Sequence, residues 1–325
     1  MTNTSSEILT VDELTVTFKG PAGTRTPVDR LSFVLEPGKT LALVGESGSG
    51  KSLTAAAVLG LLPYGAERTV RTLRLAGRDI ARLPEAQQRR MRGCEMGMVF
   101  QNPLSALNPS QRIGVQMTES YRLYTGASAT AARAQAQELL TAVDIPNPAR
   151  WLESYPHQLS GGMRQRVMLA MAVIHHPKVL IADEPTTALD VLVQAQILNL
   201  IKRLQEAYGM AVLFITHNLA LAADYADTVL VLYAGRLVEY APSARFFESP
   251  LHPYSRALLD CLPTLGQHPQ TLSEIPGKAA SSDETHPGCP FAPRCGRATF
   301  ACRQAPPPEQ GEIHRYACLH PLDPS

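Results

Sequence analysis

One segment, Gly45-Glu46-Ser47-Gly48-Ser49-Gly50-Lys51-Ser52, constrains this chain more than any other, because it fits G-x-x-x-x-G-K-[ST] at every position. The run before it, Thr40–Val44 (TLALV), is short and almost wholly apolar, as expected of a strand buried on both faces of a sheet. The run after it, Ser52 to Leu62, has the apolar spacing of a helix. Strand, glycine turn and helix together make a cradle for phosphate. The glycines let successive backbone N–H groups converge on phosphate oxygens, and the helix adds its positive end. Lys51 can neutralise the β- and γ-phosphates of a nucleotide, and the Ser52 hydroxyl can ligate Mg²⁺.

The rest of the chain reads as a parallel α/β protein with additions. Ile8 to Phe18 and Leu31–Leu35 alternate in polarity and predict two strands, joined by a loop rich in Gly, Pro and Thr. Further buried-strand candidates are Val179–Ala182, Ala211–Ile215 and Val229–Leu232, separated by helices such as Leu192–Ala207. Between Leu104 and Gln158 the composition turns to Ala and Gln, predicting a mainly helical insertion with a helix at Thr130–Val143. After about Ser249, Pro, His and Cys dominate and periodicity fades. With 45% hydrophobic and 18% charged residues, the composition is that of a globular protein. A net charge of +1 gives no field for nucleic-acid capture. No apolar run approaches the roughly 18 residues of a membrane helix, and Met1–Thr10 is polar without a signal-peptide pattern. The expectation is a cytoplasmic protein whose membrane contact comes through partners.

Two further motifs extend the phosphate loop. Val179-Leu180-Ile181-Ala182-Asp183-Glu184 is an apolar strand ending in two carboxylates. Asp183 would stand at the sheet's C-terminal edge and hold the Mg²⁺ shell, and Glu184 would orient or deprotonate the attacking water. Leu159-Ser160-Gly161-Gly162-Met163-Arg164-Gln165-Arg166 opens a helix predicted at Met163–Ile174, a second anion-binding N-terminus. A strand ending in Asp-Glu, or a bare Ser-Gly-Gly turn, is by itself commonplace. The order of all three carries the weight.

In that order the chain resembles the ATP-binding cassette (ABC) family, with Ser160, Gly161 and Gly162 as its signature loop. The resemblance implies further roles. Gln101, after the strand Gly97–Phe100, falls where the family has a glutamine that touches Mg²⁺. Ala188-Leu189-Asp190 looks like its dimer-contact loop, His217 like its switch histidine on the γ-phosphate, and Phe18 like the aromatic that stacks on adenine. Gln101-Asn102-Pro103-Leu104-Ser105-Ala106-Leu107-Asn108-Pro109 and Ser249–Leu259 are similar to the oligopeptide, dipeptide and nickel importer branch. What that implies is a motor with ATP and Mg²⁺ sandwiched between this chain and a related second ATPase subunit. It would work with two permease subunits and an extracytoplasmic solute-binding protein at the inner face of the membrane. Peptide is the expected cargo, with nickel or another small solute as the alternative. The expected fold is a P-loop NTPase of ABC type: an ATP-binding domain at 1–248, a helical subdomain at about 104–170, and a cysteine-bearing extension at 249–325.

That extension holds Cys289, Cys295, Cys302 and Cys318, with five, six and fifteen residues between successive members. The gaps do not match common paired zinc motifs. By spacing, zinc and a [4Fe–4S] cluster stand about level, with unligated thiols as the third reading. Similarity to the cysteine pattern of peptide importers implies the cluster, in a structural role. His286, His314 and His320 are read as bystanders. Two rival functions stand beside the importer: a soluble ABC ATPase acting on DNA or ribosomes, and a nucleotide-binding regulator without catalysis. One cassette without sustained heptads weighs against the first, and intact Glu184 and His217 weigh against the second.

Overall fold

The computed structural model describes residues 7–20, 23–102, 106–187, 189–262, 274–280 and 286–323. Met1–Ser6, Pro21 and Ala22, Pro103–Ser105 of the glutamine loop and Ala188 of the contact loop lie outside the described residues. In chain order the strands are β1 (Leu9–Gly20), β2 (Gly23–Leu35), β3 (Thr40–Val44), β4 (Ala66–Thr69), β5 (Thr72–Leu75), β6 (Arg78–Asp79), β7 (Met96–Val99), β8 (Val179–Asp183), β9 (Ala211–Thr216), β10 (Thr228–Tyr233), β11 (Arg236–Pro242) and β12 (Arg315–Tyr316). The helices are α1 (Lys51–Leu59), α2 (Glu85–Cys94), α3 (Ile113–Thr125), α4 (Ala129–Ala142), α5 (Pro148–Leu152), α6 (Gly161–Val173), α7 (Val191–Tyr208), α8 (Leu219–Tyr225), α9 (Ser243–Glu248) and α10 (Pro253–Asp260). No helix among the described residues is long and apolar enough to cross a membrane.

The chain forms two compact units. One comprises Leu35–Lys39 and Arg82–Leu213; the other comprises Leu9–Val34, Thr40–Ala81 and the chain from Phe214 onward. In the first unit, β7 and β8 pair in parallel, with Met96 opposite Val179 and Val99 opposite Ala182. All five residues of β8 are buried, which is why its sequence is unbroken by polar side chains up to Asp183. The helical part buries Ile113, Met117, Ala136, Leu139, Leu140, Leu152 and Val167. Arg166 and Arg203 converge on Asp144, and Arg166 also donates to the Val143 carbonyl, clasping the end of α4.

In the second unit, β3 pairs in parallel with β10, from Leu41 opposite Thr228 to Val44 opposite Val231. β10 pairs antiparallel with β11, and β11 antiparallel with β12. A separate sheet runs β2-β1-β5-β6, with β4 also on β1; its pairings of β1 with β4 and β5, and of β5 with β6, are antiparallel. The parallel pairing expected from strand–helix alternation is thus present, and antiparallel strands stand beside it. The strand-helix alternation describes β3, β7 and β8, whereas β4 to β6 are four residues or fewer and mostly polar, too short to show a period. The chain after Ser249 is also more regular than its composition suggests. His252 caps α10, its ring Nδ1 accepting from the Tyr254 N–H at 3.0 Å, and Pro253 opens the first turn.

Candidate functional site

The loop Gly45–Ser52 in the second unit has a backbone that only glycine can adopt at two positions. Gly45 has φ +151°, and a Cβ there would stand 2.2 Å from the Leu232 carbonyl oxygen on neighbouring β10. Gly50, at the N-terminus of α1, has φ +102°, and a Cβ there would meet the Pro27 oxygen at 2.4 Å. Both positions exclude any side chain. Lys51 is buried, and its Nζ donates to the carbonyls of Gly45 and Glu46 at 2.8 Å each, with Ser49 Oγ at 3.4 Å. The ammonium thus lies inside the curl of the loop, where phosphate oxygens would take over these bonds. Ser47 and Gly48 form the exposed crest of the loop, and Ser52 is exposed at the start of α1.

Phe18 lies half-buried near the end of β1, with the Arg25 guanidinium 5.7 Å from its ring centre. His217 is exposed directly after β9, and the following Asn218 caps α8 by accepting from the Ala220 N–H.

In the first unit the carboxylate pair ends β8 as the sequence predicts. Asp183 is buried at 6% exposure. Glu184 turns the chain with φ +46°, a left-handed conformation rare for a residue with a Cβ and of a kind that clusters at active sites. Its Oε2 accepts from Gln101 Nε2 at 3.0 Å and from Thr187 Oγ1 at 2.8 Å. The structure therefore brings Gln101 and Glu184 together across 83 residues of sequence. Thr187 is a partner that sequence reasoning missed, although its place in the turn after Asp183-Glu184 made it available.

α6 begins at the Ser-Gly-Gly turn. Ser160 Oγ accepts from the Met163 N–H at 3.3 Å, and both Ser160 and Gly161 are exposed. Gly162 lies close to α7, since a Cβ there would meet Val193 Cγ1 at 3.2 Å. Within α6, buried Gln165 donates to the Pro185 carbonyl, tying the helix to the turn that carries Glu184. Asp190 caps α7 by accepting from the Val193 N–H at 2.9 Å.

In the C-terminal segment, Cys289, Cys295, Cys302 and Cys318 all line one small pocket, together with His252, Phe291 and His320. None of the six cysteines is in a disulfide. Burial pushes the Cys289 thiol up to about 11; Cys318 and Cys295 add to the rise, and the N–H groups of Phe291 and Ala292 oppose it. Cys318 Sγ accepts from the His320 N–H at 3.4 Å. Among the described residues, no three His, Cys, Asp or Glu side chains are grouped closely enough to hold a single metal ion. His252 Nε2 is buried with no hydrogen-bond partner. Since Nδ1 accepts a bond, the ring proton of the neutral imidazole lies on Nε2, a donor left over beside the cysteines.

Two histidines taken for bystanders have contacts here. His314 Nε2 bonds to the fully buried Glu239 at 2.7 Å, and Glu239 also accepts from the N–H groups of Leu251 and His252 at 2.8 Å each. His320 bonds Thr299 Oγ1 at 2.9 Å.

A family model described as "ABC transporter" matches residues 28–187. A second, "Oligopeptide/dipeptide transporter, C-terminal region", matches residues 238–302. The chain is 42% identical over 318 residues to the dipeptide transport ATP-binding protein DppD of Escherichia coli (strain K12), covering 97% of both chains. It is 44% identical over 317 residues to the oligopeptide transport ATP-binding protein OppD of the same organism, covering 97% of this chain and 94% of that one. Among solved structures it resembles a dimeric post-hydrolysis state of the ATP-binding cassette MJ0796 bound to ADP and Pi. The TM-score is 0.65 at 25% identity, over 72% of this chain and 98% of that one.

Proposed function

Because this chain belongs to the ABC transporter family, we propose that it is the ATP-hydrolysing subunit of a peptide importer, driving di- or oligopeptides through separate permease subunits. The observation that carries the hydrolytic part is Glu184. It is a carboxylate at the end of a buried strand, set in a left-handed backbone and bonded by Gln101 and Thr187. A general base needs this kind of fixed aim. The peptide part rests on likeness to dipeptide and oligopeptide transport subunits along nearly the whole chain.

In this reading the loop Gly45–Ser52 binds the phosphates, with Lys51 leaving its carbonyl partners for the β- and γ-oxygens. Ser52, Gln101 and Asp183 are the residues that would hold Mg²⁺. Phe18 stacks on adenine, Glu184 polarises the water and His217 steadies the γ-phosphate. Ser160, Gly161, Gly162 and Asp190 serve the nucleotide of a second, related ATPase subunit, so the working unit is a heterodimer seated on two permease subunits at the inner membrane face. A solute-binding protein delivers the cargo from outside. The domain reading is an ATP-binding domain at 1–248, with a helical subdomain at about 104–170, followed by the extension at 249–325.

The four cysteines are read as ligands of a [4Fe–4S] cluster, with zinc as the alternative. Their support is a shared place, since all four line one pocket, and similarity of their pattern to that of peptide importers favours the cluster. The unused His252 N–H and the His320 N–H on Cys318 Sγ are donors suited to cluster and thiolate sulfur. A bound cluster would supply a four-point crosslink for a segment with few apolar residues.

The test of the motor is Glu184→Gln. Mg-ATP binding should persist while ATP turnover falls by at least about 100-fold. Turnover unchanged from the wild type would sink the assignment. The cysteine site is tested by analysis of anaerobically purified protein: about four iron and four sulfide per chain are expected, and one zinc per chain would overturn the cluster.

A further inference from the structure

Glu46, the second residue of the phosphate loop, is gripped from several sides. Its backbone N–H donates to Tyr254 Oη at 3.0 Å, and its carbonyl accepts from Lys51 Nζ. Both of its carboxylate oxygens are taken by one guanidinium: Arg294 Nη1 to Oε2 at 2.7 Å, and Arg294 Nη2 to Oε1 at 3.1 Å. Arg294 lies 248 residues further along the chain, next to Cys295, and only 5% of its side chain is exposed.

All five N–H donors of that guanidinium are engaged. Besides Glu46 it donates to Tyr233 Oη at 3.1 Å, to the Ile275 carbonyl at 3.0 Å, and through Nε to the Pro276 carbonyl at 3.0 Å. The aromatic set Tyr233, Tyr254 and Phe291 packs around it, with ring centres 4.5 to 5.3 Å apart. An arginine with a planar fork and every donor filled is built for one geometry, which a lysine does not reproduce.

The electrostatic need is plain. A triphosphate brings several negative charges onto a loop that carries a carboxylate of its own. Left uncompensated in a partly buried place, that carboxylate repels the ligand. From this we infer that Arg294 is a positioning residue of the nucleotide site. It neutralises Glu46 and, with Tyr254, fixes the start of the phosphate loop, which makes the C-terminal segment a working part of ATP binding. The inference rests on Gly45–Ser52 being the ATP site.

The experiment is a double-mutant cycle on Mg-ATP affinity and steady-state ATPase kinetics, using the full chain with its partner subunits. Arg294→Met in the wild-type background should weaken Mg-ATP binding about tenfold and raise KM, with kcat changed less than twofold. The same change in a Glu46→Gln background should cost less than threefold, because the charge that Arg294 offsets is gone. Arg294→Lys, which keeps the charge and loses the fork, should fall between wild type and Arg294→Met. A purely structural role for Arg294 predicts equal losses in both backgrounds, and that result would overturn the inference. If Arg294→Met does not fold, Arg294→Lys decides alone, and wild-type affinity in that variant counts against the inference. Failure of the wild type to bind Mg-ATP would instead strike the reading of the loop itself.

Discussion

At the scale of single residues, the backbone sorts the glycines of the phosphate loop. Gly50 carries φ +102° and has a carbonyl oxygen 2.4 Å from where a Cβ would go, whereas Gly48, at φ +78°, opens onto free space. Gly50→Ala should therefore destabilise the chain by about 2 kcal/mol or more and abolish Mg-ATP binding, while Gly48→Ala should cost about 1 kcal/mol. Urea titration of both variants beside the wild type measures the difference, and equal losses would contradict it. Residues of this kind were legible in the sequence, because a motif with fixed spacing records a local backbone requirement. Glu184 was legible as a carboxylate after a buried strand, but its left-handed φ was not, since nothing nearby in the sequence demands it. Arg294 was illegible as a partner of Glu46, because no spacing rule links residues 248 apart.

At the scale of elements, long periodic segments were read well and short polar ones were missed. The helices expected at Thr130–Val143 and Leu192–Ala207 appear as α4 and α7, shifted by one residue or so at each end. β4, β5 and β6 escaped because strands of two to four residues take their register from the strand beside them, β1 for β4 and β5 and β5 for β6, and not from their own pattern. A pH effect belongs to this scale as well. His175, just beyond α6, stacks on Tyr121 of α3 at 5.5 Å and meets Tyr124 edge-on at 5.8 Å, and its Nε2 has no partner. Burial holds its pKa below the ordinary histidine value, and His176 lowers it further. The unfolded chain therefore takes up this proton first as pH falls. The stability His175 contributes is complete above about pH 6.5 and is lost progressively below it. His175→Phe should flatten the dependence of Tm on pH between 7 and 5 relative to the wild type, and parallel curves would refute the assignment.

For the whole molecule, the chemistry is divided between things this chain can do alone and things it offers to another. The phosphate loop already holds its lysine in place, and the Gln101–Glu184–Thr187 set is assembled without help. Ser160, Gly161 and Asp190 are exposed, and Val191 and Leu192 beside Asp190 are 80% and 77% exposed, a large apolar surface for two adjacent residues. Such a surface is costly in water, and under the proposed function it belongs to an interface formed when nucleotide is bound. If that partner is a different ATPase subunit, this chain alone in Mg-ATP should stay monomeric in size-exclusion chromatography, even as the Glu184→Gln variant. Mixed with the second ATPase subunit of its transporter, the same variant should elute as a one-to-one pair that Mg-ATP stabilises and nucleotide removal dissolves. Replacing Leu192 with Asp should weaken that pair at least tenfold, since it sets a charge where an apolar contact is to be buried. A stable ATP-dependent homodimer of the isolated chain would instead make both halves of the site its own.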